Sequence, residues 1–181
     1  MKKKYRPLMM VVAIAMSAGL DCGRLAAADN IQTAGDVLLF VLPATAGGLT
    51  LGHRDGWGAL QLGESLGVTL GVTYALKYSI EAKRPNGGSE SFPSGHTSIS
   101  FSAAEFMRKR YGWEYGVPAY AAASFVAYSR VESRQHRPQD VVAGAGIGIL
   151  SSYIFTKPYK GWRVSVEGDS QSFGVRLARS F

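Results

Sequence analysis

Residues 93–110 read PSGHTSISFSAAEFMRKR. Ser94 and Gly95 are turn formers that precede a helix start. From His96 onward Ile99, Ala103, Phe106 and Met107 fall at i, i+4, i+7 and i+8, which is one apolar helical face. Arg108, Lys109 and Arg110 close the stretch, where cations favour the helix dipole. The stretch therefore predicts a loop feeding a helix over about 96–110.

Working outward, the same logic predicts helices on both sides. Arg84 to Pro93 is a loop rich in Gly, Ser and Asn. Before it, Gly58 to Ile80 reads as a helix whose apolar surface is Leu60, Leu62, Leu66, Val68, Leu70, Tyr74 and Leu76. Ile31 to Leu51 is apolar and helical in composition, interrupted by Pro43 and Gly47-Gly48, and His53 to Gly56 is a turn. After the central stretch, Val117 to Tyr128 is an alanine-rich helix. Pro138 starts a last helix, since proline suits the first helical turn, and it runs to Phe155. Its Gly144, Gly146 and Gly148 would let another helix approach closely. The fold class is all-α: a compact bundle of about five helices over residues 29–160. Residues 161–181 alternate apolar and polar about Gly168-Asp169 and predict a short hairpin-like tail.

The chain has 181 residues, a net charge of +7 and 46% hydrophobic residues. That is enough for one domain with a real core, and it argues against a disordered or fibrous chain. Residues 1–28 read as an export signal: Lys2, Lys3, Lys4 and Arg6, an apolar run from Leu8 to Leu20, then Ala26-Ala27-Ala28. The alternative is an uncleaved membrane helix. Cleavage after Ala28 removes five cations and one acid, which leaves +3 on 153 residues and no cysteine. A nucleic-acid surface is then not implied.

Three clusters carry the chemistry. Lys77 is followed by Arg84-Pro85. Pro93-Ser94-Gly95-His96 opens the central helix. Ser129-Arg130, His136 and Asp140 span the connection between the last two helices. Lys77, Arg84 and Arg130 can converge on a dianion, with the guanidinium groups binding oxygens bidentately. Ser94 and Gly95 add amides at a helix start, an anion site that needs no metal. Two histidines can supply acid and nucleophile, and Asp140 can orient one of them. Together they read as phosphoryl transfer through a phosphohistidine. His53, in a turn beside Arg54 and Asp55, reads as structural. One cysteine and three histidines at wide spacings argue against a zinc site.

Eleven residues in fixed order from Lys77 to Asp140 resemble the type 2 phosphatidic acid phosphatase superfamily, which includes bacterial acid phosphatases and vanadium haloperoxidases. The resemblance implies a metal-independent, cofactor-free phosphatase acting on mono- or diphosphate esters. Lys77, Arg84, Arg130, Ser94 and the Gly95 amide would hold phosphate. His136 would attack phosphorus, Asp140 would fix its tautomer, and His96 would protonate the leaving oxygen. An envelope lipid phosphate is the expected substrate. A broad-specificity exported acid phosphatase for soluble esters is the alternative, and a vanadium haloperoxidase a third reading.

Helices of 12 to 16 apolar-dominated residues, and Glu64 and Glu105 within helices, favour an exported protein, soluble or associated with a membrane surface. The alternative is an integral membrane protein. Arg54, Arg108-Lys109-Arg110 and Lys157 would then share the side of Lys2-Lys3-Lys4, with the motifs on the other, periplasmic side. The oligomeric state is open.

Overall fold

The computed structural model describes residues 26–159 and the strands 162–169 and 172–179. The cationic start, the apolar run and Cys22 lie outside the described residues. Five helices follow one another: α1 Ala26–Gly52, α2 Gly56–Ser79, α3 Gly95–Tyr111, α4 Trp113–Glu132 and α5 Pro138–Phe155. The strands β1 Trp162–Asp169 and β2 Ser172–Arg179 pair antiparallel, with Val164 opposite Leu177. The tail is a hairpin as expected, although Gly168 and Asp169 lie within β1, opposite Phe173 and Ser172.

The helix α1 does not break at Pro43 or Gly47-Gly48. Leu38, Leu42 and Ala46 form one buried stripe on both sides of the proline. Packing of that stripe outweighs the one main-chain hydrogen bond a proline forfeits. The expected cleavage point after Ala28 falls in the first turn of this helix. Asp55 then caps α2, accepting from Gly58 N at 2.9 Å.

Helix α2 meets the expectation at Leu62 and departs from it elsewhere. Its buried face is Gly58, Leu62, Ser65, Thr69 and Thr73, while Leu60, Val68 and Tyr74 are exposed. The inner seam is a ladder of hydroxyls. Thr73 Oγ1 donates to Ser98 Oγ at 3.0 Å, and Thr69 Oγ1 to Ser102 Oγ at 3.1 Å. Ser152 on α5 joins it, donating to the Ser102 carbonyl at 2.7 Å. Small hydroxyl residues let helices approach closely while satisfying their own polar atoms.

Helix α3 is the central element. Ala103, Phe106 and Met107 are buried as the periodicity requires, and Ile99 is half-buried. Against α5 the contact is nearly backbone on backbone. A Cβ placed on Gly144 would lie 2.5 Å from the Ser94 carbonyl oxygen, and one on Gly148 would lie 2.2 Å from that of Ser98. Gly146 meets nothing within 4 Å. Two of the three expected glycines therefore set the α3–α5 approach. Helix α4 begins at Trp113, four residues ahead of the expected Val117, after Gly112 turns the chain with φ +106°.

Candidate active site

Helix ends and the loops between them create the site. The N-terminal half of α1, the C-terminal ends of α2 and α4, the N-terminal end of α3 and the loops leading into α3 and α5 surround a cavity of about 620 Å³. Lys77, Arg84, Gly95, His96, Arg130 and His136 line it. Ser94 and Asp140 are buried behind that lining. His53 lies at the other end of the bundle, stacked on Tyr111 at 5.0 Å between ring centres.

Local backbone bonds explain the spacing of each cluster. The Arg130 carbonyl accepts from Gln135 N at 3.0 Å and from His136 N at 3.1 Å. The five intervening residues therefore loop back and set His136 beside Arg130. Between Lys77 and Ser91 the chain turns at Gly87, whose φ of +91° suits glycine. Arg84 N donates to the Gly88 carbonyl at 2.7 Å, and Lys77 Nζ to the Glu90 carbonyl at 2.7 Å. Ser94 N donates to the Asp140 carbonyl at 2.9 Å, which ties the start of α3 to that of α5. Gly95 heads α3, where the first amides have no acceptor within the helix.

The geometry around His136 is specific. Its Nδ1 lies 2.7 Å from the main-chain oxygen of Ser91. A carbonyl only accepts, so Nδ1 carries the proton and Nε2 carries the lone pair. Asp140 Oδ2 stands 3.8 Å from Nδ1, beyond hydrogen-bond reach. That carboxylate instead accepts from Ser91 Oγ at 2.5 Å and from Arg137 N at 2.9 Å. The expected bond from Asp140 to the imidazole thus runs through Ser91. Burial pushes the His136 pKa down to about 4, and the Arg84 and Lys77 charges push the same way.

Residues outside the motifs complete the site. Asp36 Oδ1 on α1 lies 3.0 Å from His96 Nε2 and 2.8 Å from Arg130 Nη1. Arg130 also donates to the Gln32 carbonyl at 2.7 Å and to Ser129 Oγ at 3.1 Å. Gln135 Oε1 accepts from Arg84 Nη1 at 3.1 Å. One signal was present: Asp36 is the only charged residue in the apolar span from Ile31 to Leu51. Leu39, Phe40, Leu70, Tyr74 and Ile99 form an apolar flank of the cavity. Among the described residues, no three His, Cys, Asp or Glu side chains are grouped to hold a metal.

Comparison with known proteins follows the same lines. Residues 79–163 match the PAP2 superfamily. A lipid A 4'-phosphatase of Helicobacter pylori is 36% identical over 142 residues, covering 72% of this chain and 71% of that protein. Two solved structures share the fold. One is the first transmembrane PAP2 type phosphatidylglycerolphosphate phosphatase from Bacillus subtilis, with a TM-score of 0.58 and 24% identity over 84% of this chain and 86% of that one. The other is LpxE of Aquifex aeolicus, with a TM-score of 0.54 and 21% identity over 76% of this chain and 96% of that one.

Proposed function

We infer that this chain, which belongs to the PAP2 superfamily, is a phosphatase that releases phosphate from lipid phosphate esters through a phosphohistidine. One observation carries the reading. An imidazole with its proton fixed on Nδ1 shares a cavity with three cations and a second histidine.

The chemistry follows from the atoms. Lys77, Arg84, Arg130 and the Gly95 amide bind the phosphate oxygens and neutralise charge that develops on them. His136 Nε2 attacks phosphorus, forming a P–N bond as the P–O ester bond breaks. The electron pair of that bond goes to the leaving oxygen, which takes a proton from His96. Asp140, 3.8 Å from the ring, stabilises the positive charge that the ring acquires. Water then gives a proton to His96 and attacks phosphorus. The P–N bond breaks, its electrons return to Nε2, and inorganic phosphate leaves. With its pKa near 4, His136 is unprotonated and ready to attack at neutral pH.

The apolar flank of Leu39, Phe40, Leu70, Tyr74 and Ile99 supports a substrate with an acyl chain. The Helicobacter pylori relative is a lipid A 4'-phosphatase, which supports the same substrate class. The outer surface supports the integral-membrane alternative. Phe40, Val68, Val72, Val117, Val142, Leu150 and Ile154 face outward while Ser65, Thr69 and Thr73 face inward. Such an apolar exterior suits lipid. Among the described residues one helix, Asn30–Gly52, is long and apolar enough to cross a membrane by length and composition alone. Glu105, expected to disfavour lipid, is inside the bundle, paired with Arg108 and Tyr120. The distal end carries Arg54 and Lys157, and the catalytic end then faces the periplasm.

The test is phosphate release by full-length protein in detergent micelles, against lipid phosphates and soluble esters, with and without a chelator. Release from lipid phosphates that survives the chelator supports the reading. Preference for soluble esters sinks the lipid assignment, and peroxide-dependent bromination would redirect it to haloperoxidase chemistry.

A further inference from the structure

We propose that Asp36 is a positioning residue for protonation of the leaving group, acting on His96 and Arg130 together. The proposal rests on the phosphatase reading above. A single carboxylate oxygen, Oδ1, lies 3.0 Å from His96 Nε2 and 2.8 Å from Arg130 Nη1. These two groups come from different helices, α3 and α4, and Asp36 comes from a third, α1. Among the described residues, Asp36 is the acid that forms an ion pair with both.

The placement is built into the packing. A Cβ on Gly35 would lie 2.0 Å from Ser129 Oγ and 2.7 Å from Arg130 Nη2. Only glycine lets α1 come this close to the Ser129-Arg130 pair. On that turn the Gln32 carbonyl accepts from Arg130 Nη2 at 2.7 Å, and Asp36 takes Nη1. With Nε on Ser129 Oγ, three of the five guanidinium N–H groups are fixed by protein, and two remain for phosphate. The guanidinium is therefore pre-aimed without being consumed.

His96 needs the same service. Its side chain is 36% exposed, so surrounding packing alone does not lock its ring. A charge-assisted bond donated by its Nε2 to the Asp36 carboxylate fixes the ring plane. When the P–O bond breaks, the leaving oxygen takes a proton from an imidazole already oriented, and no proton moves to Asp36. A carboxylate that merely neutralised Arg130 would have no reason to share the same oxygen with the general acid.

Leaving groups separate positioning from scaffolding. The full-length Asp36→Asn protein is assayed on dodecyl phosphate, whose leaving alkoxide requires a proton, and on 4-nitrophenyl phosphate, whose phenolate does not. The expected kcat falls about 10²-fold on dodecyl phosphate, the scale of general acid catalysis. On 4-nitrophenyl phosphate the fall is at least about tenfold smaller, because there only the aim of Arg130 is weakened, and Asp36→Glu recovers part of the dodecyl phosphate rate. Equal losses on both substrates overturn the proposal, because partial unfolding or a structural role lowers both alike. Tighter orthovanadate binding with undiminished turnover also overturns it, since Asp36 would then be an anion competing with phosphate. Wild-type protein that releases phosphate from neither ester overturns the phosphatase reading itself, and the proposal with it.

Discussion

The Nδ1 of His136 lies 2.7 Å from the main-chain oxygen of Ser91, and that bond fixes which ring nitrogen is free. Burial and the neighbouring Arg84 and Lys77 charges hold the pKa near 4. The lone pair that the proposed attack requires is therefore present above pH 4 and is lost as pH falls through it. The activity of wild-type protein on a lipid phosphate should accordingly show its His136-dependent acid limb near pH 4. His136→Ala should abolish turnover and the acid-labile phosphoprotein trapped by rapid quench. A phosphoprotein that persists in that variant would place the nucleophile elsewhere.

Gly144 and Gly148 give a prediction on packing. An added methyl at Gly148 would meet the Ser98 carbonyl at 2.2 Å, and backbone cannot yield as a side-chain tip can. Gly148→Ala should cost about 1–3 kcal/mol, the usual penalty of overpacking. Gly146→Ala meets nothing within 4 Å and should be neutral or slightly stabilising through helix propensity. Gly144→Ala should also depress kcat, because it pushes on Ser94 beside the phosphate cradle. Thermal unfolding in detergent ranks the three. A Gly146 variant less stable than the Gly148 variant would contradict the packing assignment.

These two relationships also mark what the sequence could reveal. The spacing of Lys77, Arg84, Ser94 to His96, Arg130, His136 and Asp140 was legible because local turns produce it, such as the Arg130 carbonyl capturing His136 N. The helix count was legible from apolar runs and turn formers. The inner face of α2 was not. Of its expected apolar surface Leu62 is buried but Leu60, Val68 and Tyr74 are exposed, and the bundle is seamed by Ser65, Thr69 and Thr73. Hydrophobic periodicity looks for an apolar inner stripe, and here hydroxyl groups that bond one another across α2, α3 and α5 take that place. Asp36 was missed because its partners lie 60 and 94 residues away, with no local pattern to announce them. The Ser91 relay was missed because it uses a main-chain oxygen, which any residue could supply.

The distal end supplies a stability prediction free of catalysis. Arg110 Nε donates to Asp55 Oδ2 at 2.7 Å and Nη2 to Oδ1 at 2.5 Å, while Tyr111 Oη donates to Oδ2 at 2.9 Å. Both charged side chains are under 10% exposed. Removing one partner strands the other, and such changes cost about 3–5 kcal/mol. Arg110→Ala should therefore lower the unfolding midpoint sharply, while the folded fraction keeps wild-type kcat. Active-site titration with labelled vanadate separates the two quantities. A drop in kcat per titrated site would mean that the two ends of the bundle are coupled.

Phe40 tests how the acyl chain is held. It lines the cavity from α1 and is 73% exposed, so its ring is available to a ligand rather than spent on the core. If an acyl chain lies against it, truncation removes an apolar contact made equally in ground and transition states. Such a loss raises KM and leaves kcat alone. Covering a phenylalanine side chain fully is worth about 1.5–3 kcal/mol, and a half-covered ring about half of that, so Phe40→Ala should raise KM for a diacyl phosphate by about three- to tenfold. The KM for 4-nitrophenyl phosphate, which has no chain to lie there, should move far less. Measuring both esters in the same micelles isolates the effect from any change in detergent binding. Equal shifts for the two substrates would show that Phe40 shapes the phosphate cradle instead, and that the acyl chain leaves the cavity by another side.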